Sequence, residues 1–251
     1  MESLKPRPTD VMVKCLAELI RDGEVVYHGL TSQIPVLAMA YAWRRLGRRF
    51  TWLSVSESNM PVVERVRVEP SSGGPGTEPL SVGVVTTMDV FDLAARGRVD
   101  VMFFGAAQID AWGNTNLTVI GSYEKPKVKL PGGAATAFLF PLVKRILIWA
   151  RHDRRTLVER VDFVTGQGRW RVERGLETLL CTNKALIEFT REGPVLRALH
   201  PGVSVEEAQA ESGFKLLVPE EPRVIEPPDE LGMRIIWEHD PEGLRYLQKY
   251  G

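Results

Sequence analysis

The sequence predicts an α/β fold, with a layered, mostly parallel sheet flanked by helices. Three observations support this prediction: helix candidates alternate with strand candidates, the strands carry apolar residues on both faces, and a chain of 251 residues can bury a sizeable core. Strands that are apolar on both faces are typical of parallel sheets, because crossover helices cover both sides. No internal repeat or clear second domain is evident. We therefore expect one domain over residues 1–251, with a Pro-rich tail from about residue 219.

The N-terminal part of the chain contains two helix candidates and two strand candidates. A helix with an apolar stripe is predicted over Thr9–Ile20, followed by a short strand over Glu24–His28. A second helix is predicted over Pro35–Leu46, because a proline stands at its start and a glycine follows its end. The next segment, Phe50–Val55, predicts a buried strand.

A stretch rich in Gly, Pro and Ser follows, and its part Ser71–Gly76 is interpreted as a surface loop rather than a phosphate-binding one. Helix resumes near Thr87 and continues to Arg96, because Thr86 and Asp89 stand at the spacing of a capping box. The remaining candidates are strands over Val101–Phe104 and Arg145–Ala150 and a short last helix over Glu230–Glu238.

Composition and charge exclude several classes of function. Lys+Arg and Asp+Glu both number 32, so the net charge gives no reason to expect binding to nucleic acid or to an anionic membrane. No apolar run approaches the roughly 20 residues that span a bilayer. The N-terminus lacks the apolar core of a signal peptide, so we expect a cytoplasmic protein.

The cysteines and histidines give no sign of a metal site or a catalytic triad. Cys15 and Cys181 lie far apart and form no CxxC pair, which argues against a zinc site or a disulfide framework. The four histidines show no metal-ligand spacing and no evident Ser or Cys partner. We therefore expect no metal.

Three polar clusters are candidates for function. In the first, Glu57 stands two residues after the strand Phe50–Val55, at the carboxyl end where ligands of open α/β sheets bind. Ser56 and Asn59 supply polar groups beside it, and Asn59 tolerates the left-handed backbone that a sharp turn requires. On position alone, an ordinary loop glutamate is a better interpretation than a nucleophile.

The other two clusters follow later strands. The first of them, Phe103–Asn116, includes Gln108 and Asn114 and would also suit a plain polar turn at Gly113–Asn114. The second contains the Lys-Pro-Lys segment Lys125–Lys127 and then Gly132, Gly133 and Ala134, whose main-chain N–H groups would suit an oxyanion or a phosphate. The alternating lysines also fit a solvated strand face, and from the residues alone an ordinary loop is the better interpretation of this segment.

The order and spacing of these clusters resemble the B (β) subunits of class I CoA-transferases, of the glutaconate CoA-transferase type. The block Gly-Ala-x-Gln-Ile-Asp-x-x-Gly-Asn-x-Asn is the most specific part of the resemblance, which covers most of the chain. Further similar segments are Arg21–Val26, Val161–Thr165, Leu199–Ser204 and Asp240–Leu244.

The resemblance implies a site and a covalent mechanism. Glu57 would be the nucleophile, carrying a glutamyl-CoA thioester, and the loop of Gly132, Gly133 and Ala134 would offer N–H groups to an oxyanion. The residues that would shape the site are Ser56, Asn59, Gln108 and Asn114. Coenzyme A would be a substrate rather than a permanently bound cofactor, an A (α) subunit would complete the site, and an acyl-CoA and a carboxylic acid would react. Competing hypotheses are a relative of the same fold that hydrolyses thioesters or opens a ring, and a non-catalytic partner chain.

Three departures from the family pattern concern fine geometry. The glycine usual after the catalytic glutamate is absent, with Asn59 as the nearest substitute. The family's Gly-x-Gly after the first strand is Gly29-Leu30-Thr31 here. Pro131 stands before the paired glycines, where a small residue is usual.

Overall fold

The computed structural model describes residues 5–71 and 81–247. The chain divides into two compact units: the terminal unit, Met1–Phe103 with Ile225–Gly251, and the middle unit, Phe104–Val224. The terminal unit thus joins the two ends of the chain. This division does not test the expectation of one domain over residues 1–251, which stays a prediction.

Fourteen strands and seven helices can be traced through residues 5–71 and 81–247. In chain order they are α1 (Pro8–Glu18), β1 (Val25–His28), α2 (Gln33–Arg44), β2 (Thr51–Ser54), β3 (Ser58–Pro61), β4 (Ser81–Val84), α3 (Thr87–Ala95), β5 (Val101–Gly105), β6 (Gln108–Ile109), β7 (Thr115–Asn116), β8 (Val119–Gly121), β9 (Pro126–Lys129), α4 (Thr136–Leu139), β10 (Arg145–Ala150), α5 (Gly168–Glu173), β11 (Thr178–Thr182), β12 (Ala185–Thr190), β13 (Gly193–Leu199), α6 (Val205–Ala210), β14 (Arg223–Val224) and α7 (Glu230–His239).

The sheet of the terminal unit is parallel, as predicted. β1 lies in the middle and pairs with β2 on one side and β5 on the other, so that Val26 aligns with both Trp52 and Val101. All three side chains are buried. Helices α1 and α2 pack together, and α7 returns from the C-terminal end of the chain to pack against α2. This arrangement brings the carboxyl ends of β1 and β2 side by side.

The middle unit is mixed. β10 and β11 pair in parallel, β11, β12 and β13 form an antiparallel meander, and β14 pairs in parallel with β13. The meander is missing from the sequence analysis, although β12 alternates buried and half-buried residues with the period of two expected for a strand. Parallel pairs outnumber antiparallel ones among these main strands, and the α/β class with a mostly parallel sheet flanked by helices is confirmed.

Each helix and strand predicted from the sequence is present, with both ends within two residues of the prediction. The start of α3 shows why. The hydroxyl of Thr86 accepts a hydrogen bond of 3.2 Å from the N–H of Asp89, and the Asp89 carboxylate accepts one of 2.9 Å from the N–H of Thr86. This capping box satisfies donors that a helix N-terminus otherwise leaves open. The surface-loop interpretation of Ser71–Gly76 falls, beyond Ser71, outside the described residues.

Within residues 5–71 and 81–247, no helix is long and apolar enough to cross a membrane. Over the same residues, no group of three or more His, Cys, Asp or Glu side chains is placed to hold a metal ion. Cys15 and Cys181 are both buried and unbridged.

Candidate active site

Glu57 lies in the turn that leaves the carboxyl end of β2, within the terminal unit. The last residue of β1 steadies the start of this turn, because the carbonyl oxygen of His28 accepts a hydrogen bond of 3.2 Å from the N–H of Val55. The hydroxyls of Ser54 and Ser56 lie 2.7 Å apart and form a second link. Glu57 is thus fixed at a strand end, as the sequence predicted, and its side chain is half-buried.

The left-handed residue of this turn is Glu57 itself, with φ of 63°. The expectation that Asn59 would adopt the left-handed backbone is wrong. The Asn59 side chain instead forms hydrogen bonds to the main chain of the turn. Its amide oxygen accepts a hydrogen bond of 3.2 Å from the N–H of Ser54, and its amide nitrogen donates one of 2.8 Å to the carbonyl oxygen of Glu57. Asn59 therefore closes the turn from inside, with 3% of its surface exposed. A non-glycine residue at positive φ is strained, and such strain collects at functional sites.

The two carboxylate oxygens of Glu57 have different surroundings. Oε1 accepts a hydrogen bond of 2.9 Å from the main-chain N–H of Thr87, the first residue of α3. Oε2 has no hydrogen-bond partner within the part of the chain that the structure describes. The positive end of the α3 dipole stabilises a carboxylate at this place. One oxygen is thus held and the other is left available for reaction.

Tyr27 and His28 are the last two residues of β1, and burial shifts the pKa of each side chain. Burial, and then the charge of Glu57, raises the pKa of Tyr27 to about 12. Burial lowers the pKa of His28 to about 4, although the carbonyl of Gly29 opposes this shift. Both side chains are therefore uncharged at pH 7, and neither offsets the charge of Glu57. The Tyr27 hydroxyl makes no hydrogen bond to any group in residues 5–71 or 81–247.

Tyr27 and the N–H of Thr87 are features that the sequence analysis missed. Tyr27 lies inside the strand predicted over Glu24–His28, where a tyrosine gives no separate sign of function. Thr87 is separated from Glu57 by 30 positions and contributes a main-chain group, which carries no residue signature. The one available signal was the capping box itself, which marks where α3 presents its N–H groups.

Thr31 is one of the three departures from the family pattern. It stands where the second glycine of Gly-x-Gly is usual, and it adopts a φ of 53°. This is the left-handed region that glycine enters without steric cost. The local backbone therefore keeps the conformation of a glycine turn although the side chain has changed.

Gln108 and Asn114 lie in the middle unit and are engaged in hydrogen bonds there. The side-chain nitrogen of Gln108 donates a hydrogen bond of 3.1 Å to the carboxylate of Asp162, and its side-chain oxygen accepts one of 2.7 Å from the Asn116 amide. Asn114 donates 3.0 Å to Asp110. These hydrogen bonds connect the Gln-Ile-Asp/Gly-Asn segment, here called the central block, to the segment around Asp162. They explain why the central block contains so many polar side chains.

Asn114 also borders a cleft of about 670 Å³ in the middle unit. Trp112, Phe163 and Arg169 line the same cleft. The guanidinium of Arg169 lies 4.9 Å from the centre of the Trp112 ring. A site-shaping role for Gln108 and Asn114 stays a prediction, and the contacts in this unit are those of residues that organise loops.

The loop of paired glycines also belongs to the middle unit. The N–H of Gly132 donates a hydrogen bond of 2.8 Å to the carbonyl of Leu117, so it is occupied. The N–H groups of Gly133 and Ala134 make no hydrogen bond within residues 5–71 and 81–247. Ala134 has a φ of 38° and Gly132 one of 101°, which gives the loop its sharp bend. The oxyanion role predicted for this loop therefore rests on Gly133 and Ala134.

The predicted residues thus form groups within each unit. Ser56, Glu57 and Asn59 come together in the terminal unit, around one turn. The middle unit contains Gln108, Asn114 and the loop Gly132–Ala134. Lys127 lies on the exposed strand β9 and Lys125 directly precedes that strand, in agreement with the interpretation as a solvated strand face.

Comparison with known proteins identifies the scaffold that carries this turn. The family model described as Coenzyme A transferase matches residues 9–210. The chain belongs to the coenzyme A transferase family. The predicted resemblance to class I CoA-transferase B subunits of the glutaconate type is confirmed.

Three individual relatives of this coenzyme A transferase family member are informative. The B subunit of 3-oxoadipate CoA-transferase from Pseudomonas knackmussii is 31% identical over 189 residues, which cover 66% of this chain and 73% of that protein. The crystal structure of the decarboxylase AibA/AibB matches with a TM-score of 0.87 and 35% identity, over 97% of this chain and 99% of the other. Glutaconate coenzyme A-transferase from Acidaminococcus fermentans has the same fold, with a TM-score of 0.84, 23% identity and coverage of 99% and 98%.

Proposed function

We propose that this chain is the B subunit of a cytoplasmic CoA-transferase that moves CoA between an acyl-CoA and a carboxylic acid through a glutamyl-CoA thioester on Glu57. The observation that carries the proposal is the asymmetric carboxylate: Oε1 is held by the N–H of Thr87, while Oε2 has no partner in the described parts of the chain. A nucleophile needs this combination of a fixed direction and a free lone pair. Membership of the coenzyme A transferase family supports the substrate class.

The reaction proceeds by two acyl exchanges at Glu57. Oε2 attacks the thioester carbon of the acyl-CoA, a C–O bond forms and the C–S bond breaks, giving an acyl-glutamyl anhydride and CoA thiolate. The thiolate then attacks the glutamyl carbonyl carbon, which gives the glutamyl-CoA thioester and releases the first acid as its carboxylate. A second carboxylate reverses both steps and leaves as its CoA ester. No net proton is gained or lost, which suits a site whose Tyr27 is neutral.

Two further groups complete the proposal. The N–H groups of Gly133 and Ala134 stabilise the oxyanion that forms on the acyl group of the acyl-CoA. Loss of one such hydrogen-bond donor lowers the rate by about 100-fold. An A subunit supplies the rest of the site, since the relatives are parts of two-subunit proteins by their names. Activity therefore requires co-expression with an A-type subunit.

A decarboxylase is the second candidate, because the AibA/AibB structure is similar over almost the whole chain. The other candidates are a thioester hydrolase, a ring-opening hydrolase and a non-catalytic partner chain. The two hydrolases differ from a decarboxylase in their products, and a non-catalytic chain forms none. One experiment separates all of these functions. The purified two-subunit complex is incubated with an acyl-CoA and a radiolabelled free acid, and label in the CoA ester is measured.

A transferase gives label in the CoA ester at a rate that rises with acid concentration. A thioester hydrolase gives free CoA regardless of the acid, and a ring-opening hydrolase converts a cyclic acyl-CoA to an opened CoA ester without using the acid. A decarboxylase gives CO₂ from a carboxylated acyl-CoA. A non-catalytic chain gives the same exchange after Glu57→Gln. Label incorporation that survives Glu57→Gln would overturn the role of Glu57, and its absence in the wild type would overturn the transferase proposal.

A further inference from the structure

We propose that the main-chain N–H of Thr87 is a catalytic donor, which binds the oxyanion that forms on Glu57 itself each time the glutamyl carbonyl carbon is attacked. This inference rests on the proposed function and assigns a second oxyanion-binding group in addition to the loop of Gly133 and Ala134. The observation behind it is the hydrogen bond of 2.9 Å from the Thr87 N–H to Oε1 of Glu57.

The donor is built into the start of α3. Thr86 and Asp89 form the capping box, with hydrogen bonds of 2.9 Å and 3.2 Å between the main-chain N–H of one and the side chain of the other. Their side chains therefore satisfy each other's N–H groups and leave the Thr87 N–H to Glu57. Because α3 has nine residues, its dipole adds to the attraction for negative charge at this end.

Donor and acceptor are also fixed relative to each other. β3 and β4 pair in antiparallel register, with Asn59 opposite Gly83. The Asn59 amide donates 2.8 Å to the carbonyl of Glu57 and 3.3 Å to the carbonyl of Val85. One side chain thus holds both the turn that carries Glu57 and the segment that leads into Thr87. This preorganisation is what makes an oxyanion donor effective, because no reorganisation is needed during the reaction.

A second observation points to the same place. Tyr27 is 2% exposed, and its hydroxyl has no hydrogen-bond partner in residues 5–71 and 81–247. It lies one residue before the end of β1, next to the strand that leads into Glu57. The ring is buried, but solvent reaches the hydroxyl. The charge of Glu57 helps to raise the pKa of Tyr27, so this open hydroxyl lies near the carboxylate, where a bound substrate can use it.

The chemistry assigns a distinct task to each carboxylate oxygen. Oε2 bonds to the acyl carbon and becomes the bridging oxygen of the anhydride, while Oε1 becomes the glutamyl carbonyl oxygen. When CoA thiolate attacks the glutamyl carbon, the carbonyl electron pair moves onto Oε1, and a C–S bond forms. The pair then returns, the bond to the bridging oxygen breaks and the carboxylate leaves with that oxygen. The Thr87 N–H already points at Oε1, so it stabilises the negative charge in this step and in its reverse.

Thr87→Pro removes this N–H group and little else. Proline is favoured at the first position of a helix, since the N–H there has no partner within the helix. The residue before a proline must be extended, and Thr86 already is, with φ of −67° and ψ of 161°. The control is Glu230→Pro, which places a proline at the first residue of α7, where the preceding Asp229 is also extended, with φ of −74° and ψ of 177°.

In the labelled-acid exchange assay with the two-subunit complex, we expect Thr87→Pro to lower kcat by about 100-fold and Glu230→Pro to stay within about threefold of the wild type. KM should change little in either variant, because the oxyanion exists only during the reaction. Exchange by Thr87→Pro at the wild-type rate would overturn the inference while leaving the transferase proposal intact. A wild type without exchange would instead contradict the proposed function.

A measurement on the wild type covers the case in which Thr87→Pro does not fold. The glutamyl-CoA thioester is formed with ¹³C-labelled glutamate, and its carbonyl band is recorded by isotope-edited infrared spectroscopy. A hydrogen bond to Oε1 lowers the stretching frequency relative to a thioester in aprotic solvent, and this result is expected. A band at the aprotic value would show that Oε1 has no donor in the intermediate, and the inference would fail.

Discussion

The side-chain amide nitrogen of Asn59 donates a hydrogen bond of 2.8 Å to the main-chain carbonyl of Glu57. This bond closes the turn on the left-handed conformation of Glu57, which is strained for a residue with a side chain. The same amide group also contacts the N–H of Ser54 and the carbonyl of Val85. A single buried asparagine thus determines the backbone geometry of the proposed nucleophile.

Removing this side chain should affect both stability and activity. Asn59→Ala leaves three main-chain groups without their partner, and we expect a loss of about 2–3 kcal/mol in the free energy of unfolding. Asn59→Asp is the matched control, since it keeps the acceptor for Ser54 and loses the two donors. Urea unfolding and the exchange assay on both variants test this. An Asn59→Ala complex with wild-type kcat would show that the turn does not depend on Asn59.

The C-terminal segment is anchored by a buried ion cluster. Arg245 forms ion pairs with Asp10 of α1 at 2.8 Å and with Asp240 at 2.7 Å, and the three side chains are 0% exposed. Arg245→Ala leaves two buried carboxylates unpaired, so we expect a loss of about 3–5 kcal/mol. The control is Arg234→Ala, which breaks an exposed pair with Glu230 and should cost less than about 1 kcal/mol. Equal denaturant midpoints for the two variants would contradict the role of the cluster.

Buried His239 should make the protein less stable in mild acid. Its Nδ1 donates 2.7 Å to the carbonyl of Val66, and its Nε2 accepts from Arg44 at 3.1 Å. Burial is the main reason that the pKa of His239 falls to about 4, and the nearby charge of Arg44 adds to it. The unfolded chain takes up this proton near pH 6.5 and the folded chain only near pH 4, so stability declines as pH falls through this window.

The expected contribution of His239 is of the order of 3 kcal/mol between these two limits. His239→Asn keeps a donor near the Val66 carbonyl and does not titrate. Urea unfolding at a series of pH values from 7 to about 4 should therefore show a shallower decline for this variant than for the wild type. Parallel curves for the two proteins would show that His239 is not the source of the pH dependence.

Gly168 should be essential for the middle unit. A Cβ atom at this position would lie 2.0 Å from the carbonyl carbon of Gly113, in the central block. Gly168→Ala forces two backbone segments apart, and we expect a loss above about 3 kcal/mol or a failure to fold. At Gly175 a Cβ would meet nothing within 4 Å, so Gly175→Ala should cost roughly 1 kcal/mol from its positive φ alone. Thermal unfolding of both variants measures the difference.

The sequence predicts local structure well where the signal is local. The capping box of Thr86 and Asp89 locates the start of α3, and the apolar run of β10 gives its ends without error. Glu57 is placed at a strand end for the same reason. The antiparallel meander of β11 to β13 was missed, because its stability comes from pairing between strands rather than from one segment.

The parts of the site that sequence does not predict depend on contacts between distant positions. Thr87 and Glu57 are 30 positions apart, and Gln108 and Asp162 are 54 apart. Neither pair has a spacing that marks it in a single sequence. The positive φ of Glu57 is equally hidden, since it follows from the hydrogen bonds of Asn59 rather than from the preference of glutamate itself.

The central claim, that CoA becomes covalently attached to Glu57, can be tested by reductive trapping. The two-subunit complex is incubated with an acyl-CoA, treated with borohydride and digested, and the peptide containing residue 57 is analysed by mass spectrometry. The account predicts that Glu57 is reduced to the corresponding alcohol only when acyl-CoA is present, and that labelled-acid exchange is lost in proportion. An unmodified Glu57 in a complex that has lost exchange activity, or reduction of a different carboxylate in place of Glu57, would contradict it.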